Sequence, residues 1–270
     1  MTKVNVITGG TGGMGIAIAQ GFEKNDCILL ADMSEDRLNA VQRQLEQEGF
    51  TDVHTAICNV TEKESVQALA ERCKELGQLG SLIHTAGVSP ASFDARTILD
   101  VNLCGTVLIV DAFESLIQEG SVAVWIASMS GHIAPNIPQL APIFANPLAP
   151  FFMDAVLTAI QNNAQAAYPL SKKAVIALVE KRGVVWGEKG GRIVSVSPGL
   201  FMTPMGEKEA ENEETSKQMK DMNPLGRFGD PVEIANVVHF LISKQASYIN
   251  GTDLRVDGGV TPVLRERLNR

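Results

Sequence analysis

A tyrosine and a lysine four residues apart could perform proton chemistry. Tyr168 and Lys172 stand in the run Tyr-Pro-Leu-Ser-Lys, and both side chains share one helix face if the following apolar pattern is helical. An ammonium beside a phenol stabilises the phenolate, which lowers the tyrosine pKa from about 10 toward neutrality. Such a tyrosine can exchange a proton with a substrate oxygen while a hydride moves on carbon. A tyrosine packed at a helix start beside a solvated lysine gives the same spacing, so the pair alone is a weak signal.

A glycine-rich turn, Thr-Gly-Gly-Thr-Gly-Gly-Met-Gly, spans residues 8–15 between a short strand and a helix. Gly10, Gly12 and Gly15 fit the G-x-G-x-x-G dinucleotide fingerprint. Gly9, Gly13 and Gly15 fit the T-G-x-x-x-G-x-G variant equally well. In both, glycines let the backbone approach a pyrophosphate, and the helix N-terminus supplies amides and positive potential. A flexible turn before a helix explains the same residues, so the motif by itself leaves both interpretations open.

An aspartate at the end of the second strand favours the dinucleotide interpretation. Asp32 follows Leu-Leu-Ala, where an acid accepts hydrogen bonds from the adenosine ribose and repels the extra phosphate of NADP. No arginine immediately follows to receive that phosphate, so we expect NAD as the cofactor. Capping of the next helix is an alternative role for Asp32, but Ser34 is better placed for it. Further cofactor contacts are expected from Met33, Asn59, Val60, Ala86 and Gly87.

Strand and helix signals alternate along the whole chain. Short apolar runs, each paired with a helical stretch, lie at 4–8, 27–31, 53–57, 81–85, 122–127 and 192–196. This alternation predicts βαβ units and a parallel sheet covered on both faces. We therefore expect an α/β fold in which residues 1–270 form one Rossmann-type, doubly wound domain of about seven parallel strands. An insertion is expected between strand 5 and the helix that carries Tyr168.

Composition narrows the possible classes. The chain has 270 residues, is 45% hydrophobic and carries a net charge of −8, which suits a globular protein and argues against nucleic acid as a partner. No apolar run is long enough to span a bilayer and the first strand is expected at Lys3, so we expect no leader and a cytoplasmic location.

No metal site is expected. The four cysteines form no C-x-x-C pair. The histidines fall on different elements without ligand spacing; they are His54, His84, His132 and His239.

Taken together, these residues resemble the short-chain dehydrogenase/reductases over essentially the full length of the chain. Six ordered pieces carry the resemblance: the turn at 8–15, Thr85-Ala-Gly87, Asn102 in Val-Asn-Leu-Cys-Gly, Ser128 after the fifth strand, Tyr168 with Lys172, and Pro198-Gly-Leu-Phe-Met-Thr203. Two later segments agree with it, 224–235 and 250–259.

The resemblance implies a catalytic tetrad of Asn102, Ser128, Tyr168 and Lys172. Ser128 would hydrogen-bond the substrate oxygen, with Ser130 as its rival. Tyr168 would act as general acid/base, and Lys172 would hold the nicotinamide ribose and lower the tyrosine pKa. Asn102 would anchor a water that links the lysine to solvent. The resemblance also implies that Thr203 would bind the carboxamide of the nicotinamide. The other implied cofactor contacts are Gly9, Thr11, Gly13, Met14, Gly15, Pro198, Gly199 and Leu200.

Three departures from the family pattern stand out. His84 and Thr85 replace two asparagines, which predicts looser hydrogen bonding at that turn, and Asn59 replaces an aspartate. Ser128 and Tyr168 lie 168 − 128 = 40 positions apart, more than in most of the family. This long spacing resembles that of the branch of the family containing bacterial 3α-hydroxysteroid dehydrogenase/carbonyl reductase. Two segments strengthen the likeness, Asn146-Pro-Leu-Ala149 and 181–188.

The insertion at 132–167 is rich in proline and apolar residues. Its prolines exclude one long helix, although a helix from near Pro150 to about Asn162 is expected. We expect a compact flap that narrows the substrate pocket and favours a dimer over a tetramer. Residues 204–223 are a possible substrate lid, whose candidate apolar residues are Phe201, Met202, Met205, Met219 and Met222.

Three functions fit the sequence. The favoured one is an NAD-dependent oxidoreductase that interconverts a secondary alcohol and a ketone, on a hydrophobic small molecule such as a hydroxysteroid. The second keeps the chemistry but assigns a smaller polyol, acyl or aromatic carbonyl substrate. The third is a non-catalytic NAD-sensing module. In each case we expect a homo-oligomer and no membrane partner.

Overall fold

Seven parallel strands form one twisted sheet in the order β3-β2-β1-β4-β5-β6-β7. The structure is a computed structural model that describes residues 2–203, 206 and 213–268. The strands are β1 (Lys3–Thr8), β2 (Cys27–Asp32), β3 (Val53–Ile57), β4 (Gln78–His84), β5 (Val122–Ile126), β6 (Arg192–Pro198) and β7 (Thr252–Val256). The predicted single-domain, doubly wound fold is confirmed. Its strand order reverses between β1 and β4, which is where such sheets bind ligands.

Helices cover both faces of this sheet. In the described part of the chain they are α1 (Gly13–Gln20), α2 (Glu35–Gln47), α3 (Lys63–Leu76), α4 (Ala95–Leu99), α5 (Thr106–Phe113), α6 (Ala141–Phe144), α7 (Phe152–Ala159), α8 (Ala164–Glu188), α9 (Glu213–Asp221), α10 (Pro231–Ile242) and α11 (Val260–Leu268). A π-helical stretch, Asp100–Gly105, joins α4 to α5. As expected, Ser34 caps α2 by accepting a hydrogen bond from the Arg37 amide. No helix among these described residues is both long and apolar enough to cross a membrane.

The core lies in two layers, one on each face of the sheet. Successive residues of β2 alternate between them: Leu29 and Ala31 join one buried cluster, while Ile28 and Leu30 join the other. Side chains alternate across a strand with a period of two, so a strand with both faces covered must be apolar throughout. This explains the unbroken apolar runs of the sequence.

The insertion packs beside α4 rather than standing apart from the core. Its helix α7 lies within the expected range of 150–162. Several of its side chains are buried in the same cluster as α4, α5 and α8; they are Leu140, Phe152, Val156, Leu157 and Ile160. At its outer side Arg96 of α4 pairs with Asp154 of α7 at 3.1 Å. Gln161 and Asn162 then take left-handed backbone conformations (φ 54° and 56°), and Asn163 caps α8.

Candidate active site

A cavity of about 1240 Å³ opens at the carboxyl ends of the central strands. Thr8, Asp32 and Pro198, which end β1, β2 and β6, all line it, as does Ser128 just after β5. A site for one drug-sized ligand usually measures about 300–1,000 Å³. The cavity is therefore large enough for a dinucleotide together with a small substrate.

The glycine turn fits a cofactor pyrophosphate. Gly9 has a φ of +67°, and a Cβ there would lie 2.6 Å from the Ala86 amide nitrogen. A Cβ on Gly15 would lie 2.5 Å from the Gly9 carbonyl oxygen. Only glycine allows this close approach at the start of α1, and a helix N-terminus suits a phosphate because its first amides lack partners within the helix. Gly9, Gly13 and Met14 line the cavity, whereas Thr11 and Gly15 lie behind its surface and support the turn.

Asp32 is held in place by the same turn. Its carboxylate accepts hydrogen bonds from the Thr11 amide at 3.1 Å and from the Thr11 hydroxyl at 2.5 Å, and its other oxygen accepts from the Met33 amide at 2.8 Å. Arg37 also lines this end of the cavity and donates to the Thr11 carbonyl at 2.8 Å. Sequence analysis missed Arg37 because it lies five positions beyond Asp32, in the first turn of α2.

The residues expected at the adenine end also line the cavity. Met33, Asn59 and Val60 all reach it. The Asn59 side chain, however, turns back on its own loop, where it accepts from the Thr61 amide at 3.1 Å and donates to Glu62 at 2.8 Å. Its amide is therefore already hydrogen-bonded within that loop.

Tyr168 and Lys172 lie one turn apart on α8 and both line the cavity. The Lys172 ammonium nitrogen lies 5.9 Å from the centre of the Tyr168 ring and donates to the Ile126 carbonyl at 2.9 Å. Lys172 is only 6% exposed, and this burial lowers its pKa to about 8. The helix begins four residues before Tyr168, so Pro169 lies inside it, and the Ser171 hydroxyl donates to the Tyr168 carbonyl at 2.7 Å.

Ser128 lies on the loop after β5, against the same helix. A Cβ on Gly131 would lie 2.9 Å from the Lys172 backbone, so this loop contacts α8 directly. The Ser128 hydroxyl oxygen accepts from the Ser130 amide at 3.2 Å and from the Ser130 hydroxyl at 3.0 Å. With its oxygen engaged twice, Ser128 has its own proton left to donate into the cavity. Ser130 thus orients Ser128, although it also lines the cavity.

Asn102 lies behind the cavity wall, in the π-helical stretch. Its side-chain oxygen accepts from the Val88 amide at 2.8 Å, and its side-chain nitrogen donates to the Val88 carbonyl at 2.9 Å. A Cβ on Gly87 would lie 3.3 Å from that oxygen and 3.4 Å from the Lys172 ammonium. Asn102 therefore fixes the loop that separates it from the cavity and lies close to Lys172.

His84 is buried at the end of β4, and hydrogen bonds engage both of its ring nitrogens. Nδ1 lies 2.7 Å from the Thr8 hydroxyl, and Nε2 lies 3.1 Å from the Thr106 hydroxyl. Thr106 donates its proton to the Asn102 carbonyl at 2.8 Å, which assigns the imidazole proton to Nε2. The expectation of looser hydrogen bonding at this turn is wrong for His84, because a directed chain runs from β1 through His84 to Asn102.

We expect His84 to make the protein acid-sensitive. Burial lowers its pKa to about 3, against 6.5 when unfolded, so the unfolded chain binds an extra proton between these values. The free energy of unfolding is then fully retained above pH 6.5 and falls by about 1.4 kcal/mol per pH unit as the pH drops toward 3.

Urea unfolding at several pH values measures this slope. In the His84→Asn variant the free energy of unfolding should no longer fall by this amount per pH unit, whereas in His239→Gln it should fall as in the wild type. Equal slopes for the wild type and His84→Asn would contradict the assignment.

The substrate end of the cavity is mostly apolar. Its apolar lining residues include Val88, Pro90, Ala91, Phe93, Phe201, Met219 and Phe228, and its polar ones include Arg96, Thr97, Asp100 and Gln165. Within the insertion at 132–167, Gln165 lines the cavity and no apolar side chain does, so the expectation that apolar side chains of the insertion narrow the pocket is wrong. The apolar side chains of the insertion are used in packing against α4 instead.

The possible lid is described only in part. Residues 204, 205 and 207–212, including Met205, lie outside the described residues. Phe201 and Met219 line the cavity on either side of that gap, and Thr203 lines it too. The last expected contacts, Gly87, Ala86, Pro198, Gly199 and Leu200, are also lining residues.

Two family models match the chain in succession. Residues 3–138 match the model described as short chain dehydrogenase, and residues 151–261 match the one described as Enoyl-(Acyl carrier protein) reductase. The stretch between the matches, 139–150, lies in the insertion.

Curated relatives and solved structures agree with these matches. A short-chain dehydrogenase/reductase (bsc3) of Alternaria brassicicola is 33% identical over 98% of both chains. D-threitol dehydrogenase of Mycolicibacterium smegmatis is 31% identical over 96% of this chain and 93% of its own. A 3-alpha-hydroxysteroid dehydrogenase/carbonyl reductase of Comamonas testosteroni is 30% identical over 75% of this chain and 80% of its own. The crystal structure of levodione reductase superposes with a TM-score of 0.79 at 26% identity, covering 96% of this chain and 98% of that one.

The chain belongs to the short-chain dehydrogenase/reductase family. It is an oxidoreductase whose nucleotide-binding fold takes NAD or NADP.

Proposed function

We propose that this protein is an NAD-dependent dehydrogenase that interconverts a secondary alcohol and a ketone on a hydrophobic substrate such as a hydroxysteroid. The observation that carries the proposal is the meeting of Ser128, Tyr168 and a buried Lys172 at a cavity that is mostly apolar beyond them. Such a site can hold an apolar molecule with one oxygen directed at a proton donor.

In alcohol oxidation, Ser128 donates a hydrogen bond to the substrate oxygen and orients it. Tyr168, as phenolate, accepts the proton of the substrate hydroxyl, and the Lys172 ammonium stabilises that phenolate. A nicotinamide cofactor held by the glycine turn, Asp32 and Lys172 would supply the acceptor for the hydride of the carbinol carbon. Asn102, through its two hydrogen bonds to Val88, holds the loop in front of Lys172. In ketone reduction Tyr168 returns its proton to the substrate oxygen.

The preference for NAD rests on Asp32. Its carboxylate lines the cavity at the end of β2, where it would accept from the ribose hydroxyls and repel a 2′-phosphate. Arg37 is the nearby cation that could oppose this preference, but it donates to the Thr11 carbonyl.

We expect kcat/KM with NAD to exceed that with NADP by about a hundredfold or more, because NADP lacks the 2′-hydroxyl that would donate to Asp32 and carries a 2′-phosphate that the carboxylate repels. Asp32→Ala should reduce the ratio of the two kcat/KM values to about tenfold or less, because the variant binds NAD more weakly and no longer repels the 2′-phosphate of NADP. Steady-state kinetics with both cofactors measures this. Equal kcat/KM values for NAD and NADP in the wild type would contradict the proposal.

The proposal of a hydrophobic substrate rests on the aromatic and aliphatic residues that line the cavity. In addition, one of the relatives is named a hydroxysteroid dehydrogenase/carbonyl reductase. A smaller polyol is the second candidate, because Arg96, Asp100 and Gln165 supply polar groups to the same cavity and another relative is named D-threitol dehydrogenase. A panel of apolar cyclic alcohols and of polyols, followed at the nicotinamide absorbance, separates the two.

Phe93 gives a sharper test, with a matched control in the insertion. Phe93 lines the cavity, whereas Phe151 does not and is 62% exposed. Phe93→Ser should raise KM for bulky apolar alcohols by about tenfold, the value of one buried aromatic contact. Phe151→Ser should leave KM unchanged. The proposal of a hydrophobic substrate fails if Phe93→Ser leaves KM unchanged for every apolar substrate.

A dimer is part of the proposal. Tetramers of the family usually pair subunits through the helices that begin near Asn102 and Tyr168, and the insertion, which packs on α4 just before Asn102, would obstruct that contact. A dimer would instead form through the region around Val256, where Leu254 on β7 is an exposed apolar side chain. Light scattering coupled to size exclusion tests the oligomeric state, and a tetramer would contradict it.

A further inference from the structure

Three side chains of different chemistry meet at the amino-terminal ends of β2 and β3. The Cys27 sulfur, an Asp52 carboxylate oxygen and a His54 ring nitrogen all lie within 4.8 Å of one another. The Ile28 amide donates to the Asp52 carbonyl at 2.9 Å, and Leu29 pairs with His54 across the two strands. The backbone that carries the cluster is therefore part of the sheet.

The sequence predicts no metal ligands, because the histidines fall on different elements without ligand spacing. The fold gives His54 a neighbour that spacing does not show, because the pairing of β2 with β3 brings it beside a cysteine far away in the chain. Cys27, Asp52 and His54 share one side of the two paired strands, since alternate residues of a strand face the same way.

We propose that Cys27, Asp52 and His54 form a binding site for a divalent zinc-like cation, with a fourth position left to solvent. Thiolate, imidazole and carboxylate are the donors that zinc takes in proteins. Bond lengths of about 2.0–2.3 Å in a tetrahedron put the donor atoms about 3.5 Å apart. Donor atoms that lie within 4.8 Å of one another need to close by about 1 Å to reach that spacing.

Burial at the cluster suits an ion held at the protein surface. Cys27 is 3% exposed, whereas the side chains of His54 and Asp52 are 30% and 40% exposed. The thiol forms the inner wall, and the other two groups reach solvent and leave an entry path. His54 Nε2 and Asp52 Oδ1 lie 2.7 Å apart, so an ion would replace this hydrogen bond with two coordinate bonds.

Two other interpretations fit less well. A nucleophilic cysteine must be open to its substrate, but the Cys27 side chain is 3% exposed. A simple ion pair explains Asp52 and His54 without explaining the thiol. Arg72, whose positive charge acts on Cys27, is itself paired with Glu75 at 3.0 Å.

The site lies at the edge of the sheet opposite the cavity. An ion there would tie the outermost strand, β3, to β2 and would stabilise the fold rather than take part in hydride transfer. This role is independent of the proposed function, so the two can fail separately.

Cobalt titration of the reduced, metal-free, full-length protein tests the proposal. We expect one equivalent of Co²⁺ to bind and to give a sulfur-to-cobalt charge-transfer band. Cys27→Ser should lose the band, whereas Cys104→Ala, which removes another buried thiol, should keep it. Asp52→Asn and His54→Gln should each weaken binding by about tenfold or more, and His54→Gln covers the case in which Cys27→Ser does not fold.

Thermal unfolding gives a second readout. Zinc at about 100 times its Kd should raise the Tm by about 5–10 °C, and His54→Gln should lose most of that rise. The proposal is overturned if the wild type gives no charge-transfer band at millimolar cobalt. It is also overturned if His54→Gln binds cobalt as tightly as the wild type does.

Discussion

Tyr168→Phe removes nearly all turnover while the Kd for NAD changes by less than about threefold. The substitution deletes only the phenol oxygen, which carries the transferable proton, and leaves the ring that packs beside Lys172. General acid–base catalysis contributes about 10²–10⁴-fold to a rate, so kcat should fall by about a thousandfold. The cofactor keeps its contacts with the glycine turn, Asp32 and Lys172, so its binding persists.

Steady-state kinetics and a fluorescence titration with NAD measure the two halves of this prediction. Tyr248→Phe is a matched control, because Tyr248 is the other tyrosine of the chain and is fully exposed. It should retain the parent kcat. A Tyr168→Phe enzyme within tenfold of the parent kcat would contradict the assignment of the acid/base.

Lys172→Met is expected to abolish activity and to stabilise the free protein. The folded-state pKa of Lys172 is about 8, below its ordinary 10.5, because burial disfavours the charge. Below pH 8 the lysine is charged when folded and lowers the free energy of unfolding by about 3 kcal/mol. Methionine removes that penalty and the hydrogen bond to Ile126, worth about 1 kcal/mol. The net gain at pH 7 is therefore about 2 kcal/mol, with a loss of activity of about a hundredfold or more.

The stability difference between Lys172→Met and the wild type should depend on pH. Between pH 8 and 10.5 the unfolded chain holds one more proton than the folded chain, so wild-type stability rises with pH. The advantage of Lys172→Met should therefore shrink from pH 7 to pH 10. Urea unfolding at both pH values measures it, with Lys173→Met as the neighbouring control. A Lys172→Met protein less stable than the wild type at pH 7 would show that the buried charge is stabilised by its surroundings.

The fold could be predicted because its signals are local. Alternating apolar runs and amphipathic segments predict a doubly wound sheet, since a strand covered on both faces must be apolar throughout. Local spacing indicated Tyr168, Lys172 and Asp32, and the family resemblance indicated Ser128; the structure brings all four to one cavity. Tyr168 and Lys172 lie one helical turn apart, and Asp32 and Ser128 lie at or just beyond the ends of strands.

What could not be predicted depends on contacts between distant parts of the chain. His84 is hydrogen-bonded to Thr8 and Thr106, which only the pairing of β4 with β1 and the course of α5 bring near. The apolar residues of the insertion predict that it is buried. That they pack against α4 rather than at the pocket depends on tertiary packing, which the sequence pattern does not specify. Cys27 and His54 meet because β2 pairs with β3, a pairing that sequence periodicity alone does not specify.

Isotope transfer tests the central claim most directly. A hydrophobic cyclic secondary alcohol with deuterium on its carbinol carbon is incubated with the full-length protein and NAD, and the reduced cofactor is analysed by mass spectrometry. We predict one deuterium in each NADH formed and an equal amount of the ketone. NADH without deuterium would contradict direct hydride transfer, and tight NAD binding with no turnover of any alcohol or ketone would indicate a cofactor-sensing protein instead.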